Sequence, residues 1–91
     1  MYYSELLKIV GEILGGKVEK RTVMDYLMNN VDSVEIYDSD DMLLTDVYFT
    51  LIHYATGEEE VSRGEWIYFE ECLSGEKEYS MEEKMHIAAY K

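Results

Sequence analysis

Five segments of this chain have apolar residues spaced three or four positions apart, and the chain contains no proline to interrupt them. This spacing places apolar side chains along one face of an α-helix. A single stretch, VDSVEIYDSDD, alternates briefly at Val34, Ile36 and Asp38 as a strand would, but no second strand pattern could pair with it. We therefore expect irregular structure in that stretch and an all-α fold for the chain.

The segments YYSELLKIVGEILGG and KVEKRTVMDYLMNN predict the first two helices. Gly15 and Gly16 should end the first helix, because glycine readily adopts the left-handed conformation found at helix C-termini. Gly11, inside this helix, should cost about 1 kcal/mol relative to alanine unless another backbone approaches it closely. The second helix should bury an apolar face made of Val23, Met24, Leu27, Met28 and Val31.

The longest periodic segment, SDDMLLTDVYFTLIHYATG, predicts a third helix. Ser39 or Asp40 should cap its start by accepting backbone N–H bonds, and Gly57 should close it. The side chains on its apolar face are those of Leu44, Val47, Tyr48, Leu51 and Ala55.

Two further helices are indicated by capping patterns. In VSRGEW, Ser62 and Glu65 have the spacing of a capping box, and Val61 can pack on Trp66 as a hydrophobic staple. Trp66, Phe69 and Leu73 form the core line of this fourth helix, with Gly75 as its stop. In YSMEEK, Ser80 and Glu83 repeat the capping pattern and open a terminal helix that continues through Met85 and Ala89.

Five helical signals joined by short loops predict an antiparallel bundle of four or five helices. At 91 residues, the chain is long enough for one hydrophobic core and too short for two, so we expect residues 1–91 to form a single domain.

The charge of the chain limits its partners. Twenty acidic and eight basic residues give a formal net charge of −12. Such a field repels nucleic-acid backbones and anionic membranes and attracts cationic partners, although acidity also serves solubility. The single cysteine, Cys72, cannot form an internal disulfide, and there is no leader-like N-terminus or long apolar span. These features favour a cytoplasmic protein that binds neither nucleic acid nor membrane.

No motif for catalysis, cofactor binding or metal binding is found. The run DSDDMLLTD lacks the oxygen ligand and the glycine of a calcium loop, and the glycines follow no nucleotide-binding pattern. His53, Cys72 and His86 lack the paired spacing of zinc ligands; a cysteine–histidine nucleophile stays open, although so few such residues occur readily by chance. We expect a protein that is not an enzyme and that has no cofactor and no metal.

One acidic surface is a candidate for binding a protein. The loop ATGEEE brings together Glu58, Glu59 and Glu60, and Tyr54 and Asp46 precede it on the third predicted helix. Carboxylates accelerate encounter with a basic partner, and tyrosine gives contact area at low entropy cost. These five residues are the predicted partner-binding site, and a solvated loop is the alternative interpretation.

The order of LLKIVGEILGGKVEKRTVMDYLMNN followed by DDMLLTDVYFTLIHYATGEEE resembles the bacterial colicin-like immunity proteins of the colicin D immunity type, over roughly residues 4 to 75. The resemblance implies a helical bundle that neutralises a ribonuclease toxin domain by occluding its basic active site. It also implies that an acidic surface around the third helix and its following loop meets the toxin. The matching positions here are Asp46, Glu58, Glu59 and Glu60.

The sequence therefore predicts an acidic immunity protein that inhibits a basic bacterial toxin, with an RNase as the expected toxin. Two other functions stay open. A phage-type acidic mimic of nucleic acid would inhibit a host DNA- or RNA-binding complex. A non-inhibitory helical interaction module would self-associate, for instance as a homodimer, through exposed tyrosines and methionines.

Overall fold

A computed structural model describes residues 2–89, and every regular element in this range is a helix. The all-α prediction is confirmed, with six helices in place of the expected four or five. They are α1 (Tyr3–Leu14), α2 (Lys20–Asn30), α3 (Ser33–Asp38), α4 (Met42–Ala55), α5 (Arg63–Leu73) and α6 (Met81–Ala89).

The core lies where α1, α4 and α5 meet, with α2 and α3 packed against α4 and α6 packed against α5. The predicted core line of α5 is confirmed, since Trp66, Phe69 and Leu73 are all buried. The predicted face of α2 is partly wrong: Val23 and Leu27 are fully buried, but Met28 is 76% exposed. The side chains with no exposed surface include those of Leu6, Ile9, Val10, Val23, Leu27, Ile36, Val47, Leu51 and Phe69.

Three helices end as their glycines predict. Gly16, Gly57 and Gly75 have φ angles of 67°, 81° and 87°, a left-handed conformation that costs glycine little. In each case the next residue donates its N–H to a carbonyl near the end of the helix, as Glu58 does to His53 at 3.0 Å. This is the Schellman arrangement, which satisfies the last carbonyls and turns the chain sharply.

The capping box at the start of α5 is also as predicted. The Ser62 hydroxyl accepts a hydrogen bond from the Glu65 N–H, and the Glu65 carboxylate accepts one from the Ser62 N–H. Glu65 is only 3% exposed, so this capping box sits at the edge of the core and orients α5 against it.

The cap of α4 differs from the prediction of Ser39 or Asp40. Asp41 is the N-cap, and its carboxylate accepts the Leu44 N–H at 3.1 Å. Ser39 instead closes α3, and Asp40 adopts a left-handed conformation with φ of 55°. Because of this tight turn at Asp40, α4 is capped one residue later than Asp40, the later of the two predicted caps.

The prediction of irregular structure around residues 32 to 40 was wrong, because α3 occupies most of that stretch. Asp32 caps this short helix by accepting the Val34 N–H at 2.9 Å. Ile36 is fully buried while Val34 is exposed. One buried side chain in six residues does not produce a helical period that can be recognised in the sequence. The helix is stabilised instead by the packing of Ile36.

The second capping box is half formed. The Ser80 hydroxyl accepts the Glu83 N–H at 3.3 Å, but the Ser80 N–H donates to the Tyr68 hydroxyl at 2.7 Å. The Glu83 carboxylate lies 3.6 Å from the Lys77 ammonium instead. A tyrosine from α5 thus replaces the local partner that the sequence predicted.

Candidate partner-binding surface

Several tyrosines tie helices to one another by donating hydrogen bonds to carboxylates. Tyr2 donates to Glu35 at 2.5 Å, and Tyr3 donates to Asp41, so that the start of α1 is fixed to α3 and to the start of α4. The bond to Asp41, together with burial, raises the pKa of Tyr3 to about 12. Part of the acidity and part of the tyrosine content therefore stabilise the fold and are not available to a partner.

Asp46, predicted to bind a partner, is engaged in the same way. Its carboxylate accepts a hydrogen bond from the Tyr79 hydroxyl at 2.5 Å and lies 3.4 Å from the Lys84 ammonium. Burial and this bond raise the pKa of Tyr79 well above its usual value. The Asp46 side chain is only 12% exposed, and its charge is balanced by Lys84. Asp46 joins α4 to α6, and about 13 Å of helix separate it from the end of α4.

Tyr54 also makes contacts within the fold. Its ring meets the edge of Trp66 at a centroid distance of 5.3 Å, and the Lys20 ammonium lies 5.0 Å from its centroid. Tyr54 shares a face of α4 with the buried Val47 and Leu51, since four and three residues complete about one turn. It is half-buried and already holds a cation from its own chain.

Glu58, Glu59 and Glu60 lie together in the exposed loop between α4 and α5. The Glu58 carboxylate lies 2.8 Å from Nδ1 of His53, which fixes the first turn of the loop to the end of α4. The Glu59 N–H donates to the His53 carbonyl at 3.3 Å. The structure thus brings these three predicted residues together, while Asp46 and Tyr54 point to other neighbours.

The outer stripe of α4, formed by Met42, Thr45, Asp46, Phe49 and His53, leads to this loop. Phe49 stacks on the His53 ring at a centroid distance of 6.1 Å and contacts the Tyr37 ring at 5.4 Å. Aromatic residues from α3 and α4 therefore form an exposed row that ends at the His53–Glu58 pair.

A groove of about 400 Å³ opens at the other end of this stripe. We call it the α4 groove; it is lined by Tyr37, Asp40, Asp41, Met42, Thr45, Asp46, Phe49 and Met81. Four of these side chains are large, apolar and exposed: Met42 at 60%, Tyr37 at 46%, Phe49 at 43% and Met81 at 40%. Its charged lining residues are all aspartates.

Sequence reasoning missed the α4 groove. Met42 and Phe49 are seven residues apart and lie opposite the buried face of α4, which is the one signal that could have revealed them. Tyr37 and Met81 come from α3 and from the start of α6, so that their meeting with α4 depends on tertiary packing. The candidate partner-binding surface therefore consists of the α4 groove, the outer stripe of α4 and the loop Glu58–Glu60.

Cys72, the single cysteine of the chain, is buried in the core. Burial raises the pKa of the Cys72 thiol, which keeps it in the less reactive protonated form. Within residues 2–89, no three His, Cys, Asp or Glu side chains are grouped so that they could hold a metal ion. None of the helices in the same range is long and apolar enough to cross a membrane.

No protein-family model matches this chain, and comparisons with curated proteins and with solved structures found no match either. The resemblance to the colicin D immunity proteins thus stays a hypothesis based on helix order and apolar spacing.

Proposed function

We propose that this chain is an acidic, non-enzymatic immunity protein of the bacterial cytoplasm that inhibits a basic toxin, and that this toxin is an RNase. One observation carries the proposal: the carboxylate loop Glu58–Glu60 continues into the exposed row of aromatic residues from α3 and α4. Carboxylates and exposed rings side by side are suited to fill a nucleic-acid groove, whose arginines and lysines pair with acids and whose walls stack on aromatic groups.

Electrostatics should dominate the encounter. A net charge of −12 on a compact domain attracts a cationic nuclease over distances of about a Debye length, which is about 10 Å at 0.1 M salt. The rate of association should fall steeply as salt is added, while dissociation should depend on the packed aromatic contacts.

The first test is co-expression with the protein encoded next to this chain in its native locus. We expect the neighbour to stop growth of the host, this chain to restore growth, and the two proteins to co-purify in a complex that weakens with salt. A harmless neighbour would contradict the proposal, and the host's own nucleic-acid-binding proteins would then be the partners to examine, as for a phage-type mimic.

The second test separates the position of the charge from its amount. One variant replaces Glu58, Glu59 and Glu60 with glutamine. The matched control changes the exposed residues Glu19, Asp25 and Glu76 to their amides, which removes the same three negative charges elsewhere.

With a toxin partner in hand, the loop variant should associate about tenfold more slowly than the control at low salt, because steering depends on charge near the interface. Thermal unfolding of both variants checks that the fold is retained. Equal association rates for the two variants would remove the loop from the interface.

The exposed apolar lining of the α4 groove favours a second candidate, a non-inhibitory interaction module that self-associates. Sedimentation at increasing protein concentration distinguishes the two functions. An inhibitor without bound toxin should remain monomeric over the concentrations at which it protects the host, whereas the interaction module should form dimers or larger assemblies.

A further inference from the structure

The α4 groove combines two properties that select one kind of occupant. Its walls are bulky and apolar, and two of them are methionines, whose flexible side chains adapt to different partners. Its charged lining is purely acidic, and the volume of about 400 Å³ suits one or two large side chains rather than a whole helix.

The three aspartates of the groove differ in what they can offer to a ligand. Asp41 caps α4 and accepts the Tyr3 hydroxyl, and Asp46 is paired with Tyr79 and Lys84. Asp40 is exposed and makes no hydrogen bond or ion pair within residues 2–89. Its left-handed backbone, with φ of 55°, places this carboxylate on the turn between α3 and α4.

We infer that the α4 groove binds a cationic segment of a protein partner, which inserts one large apolar side chain between Met42, Phe49 and Met81 and pairs an arginine or lysine with Asp40. This inference rests on the proposed function and specifies the partner chemistry that the site accepts. An apolar anchor flanked by a cation fits both the walls and the acidic edge.

The charge of the chain argues against a second copy as the occupant. Two molecules that each carry −12 repel one another, and pairing two grooves would bring their aspartates close together without any cation to balance Asp40. A partner rich in arginine and lysine is attracted by the same field.

The test uses the full chain, labelled with ¹³C at its methionine methyl groups, and the blocked peptide acetyl-Arg-Leu-Phe-Arg-amide as the probe. The methyl resonances of Met42 and Met81 should shift and saturate as the peptide is added. Met28 and Met85 are also exposed but do not line the groove, so their resonances provide an internal control.

Two matched peptides identify the chemistry. Replacing both arginines with glutamate, or both apolar residues with serine, should each weaken binding by at least about tenfold. Equal shifts at all four methionines, or equal binding of the glutamate peptide, would overturn the inference. If the Met42 and Met81 resonances shift with protein concentration in the absence of peptide, the inference is overturned and the occupant of the groove is a second copy of the chain.

Three variants complete the test. Asp40→Asn removes the charge and keeps a residue that tolerates the left-handed conformation, and Met42→Ser shortens one wall; each should weaken peptide binding by about tenfold. Met28→Ser, outside the groove, should leave peptide binding unchanged.

The two proposals can fail separately. Peptide binding with a harmless genetic neighbour would retain the groove and reject the immunity function. Full rescue of the host by the combined Asp40→Asn and Met42→Ser variant would retain the immunity function and reject the groove.

Discussion

At the scale of single residues, Gly11 and Gly16 should respond in opposite directions to the same substitution. A Cβ at Gly11 would meet only the Glu70 carboxylate at 3.6 Å, an ordinary contact, and no backbone approaches there. Gly11→Ala should therefore stabilise the protein by about 1 kcal/mol through helix propensity alone. Gly16 has no neighbour within 4 Å but a φ of 67°, so Gly16→Ala should destabilise by about 1 to 2 kcal/mol through backbone strain.

Urea unfolding measures both effects, as shifts of the midpoint at constant slope. A destabilised Gly11→Ala variant would show that α1 and α5 approach more closely than the Glu70 contact indicates.

The second prediction concerns Trp66, which is 4% exposed and contacts the rings of Tyr54 and Phe69. Trp66→Ala should destabilise the domain by about 3 to 5 kcal/mol, because it removes a large buried ring and leaves a cavity. Ile67→Ala, at the next and exposed position, is the control and should cost far less. Similar urea midpoints for the two variants would place Trp66 outside the cooperative core.

The third prediction uses the Tyr3–Asp41 bond, which raises the pKa of Tyr3 from 10.0 to about 12. At pH below 10 the folded and unfolded states both keep the proton, so the stabilisation is fully present. Between pH 10 and about 12 the unfolded chain loses the proton first, and the stability must fall.

Urea midpoints at about pH 8 and about pH 11 test this linkage. Tyr3→Phe should be less stable than the parent at the lower pH and should lose less stability on going to the higher pH. Tyr37→Phe, which removes an exposed hydroxyl with no hydrogen bond within residues 2–89, is the control and should keep the parental pH dependence. An unchanged alkaline loss in Tyr3→Phe would remove Tyr3 as its source.

At the scale of elements, the attachment of α6 depends on a few polar side chains. This helix packs on α5, and Asp46 joins it to α4 through Tyr79 and Lys84. Asp46→Ala should therefore lower the free energy of local opening of α6 by about 1.5 to 3 kcal/mol, which is the usual contribution of hydrogen bonds to a charged group.

Amide hydrogen exchange distinguishes local from global effects. We expect faster exchange in α6 with little change in α1, whereas an equal acceleration in both helices would mean that Asp46 stabilises the whole domain. Glu82→Ala, an exposed change in the first turn of α6, is the matched control.

The helices that could be predicted are those whose ends are determined locally. Gly16, Gly57 and Gly75 stop helices through their own conformational freedom, and Ser62 with Glu65 starts one through hydrogen bonds three residues apart. The helix α3 could not be predicted because its stability comes from the burial of Ile36 in the core, a tertiary contact that six residues do not show as a helical period.

The candidate site could be predicted only in part, for the same reason. The loop Glu58–Glu60 is contiguous in sequence, so its acidity was visible. The α4 groove combines Tyr37, Met42 and Met81 from three helices, and no local pattern relates them. Asp46 and Tyr54 have side chains that could bind a partner, but the fold uses both for internal contacts.

At the scale of the whole molecule, folding concentrates the negative charge. The folded domain has a radius of gyration of 12.1 Å, whereas an unfolded chain of this length has a radius of about 30 Å. The carboxylates are therefore closer together in the folded state, and their mutual repulsion lowers the free energy of unfolding. The net charge of −12 already includes every lysine and arginine, so internal pairs such as Lys84 with Asp46 leave an excess of twelve negative charges.

Added salt should consequently stabilise this protein. At about 0.01 M salt the Debye length is about 30 Å, comparable with the molecular dimensions of 31 × 28 × 22 Å, so nearly all carboxylates repel one another. At about 0.15 M it is about 8 Å, and only near neighbours interact. The unfolding temperature should rise between these two conditions, equally for sodium chloride and potassium chloride, because screening depends on ionic strength. The variants with three carboxylates neutralised, whether at Glu58–Glu60 or elsewhere, should show a smaller rise; an unfolding temperature that stays constant or falls would mean that self-repulsion does not limit the stability of this fold.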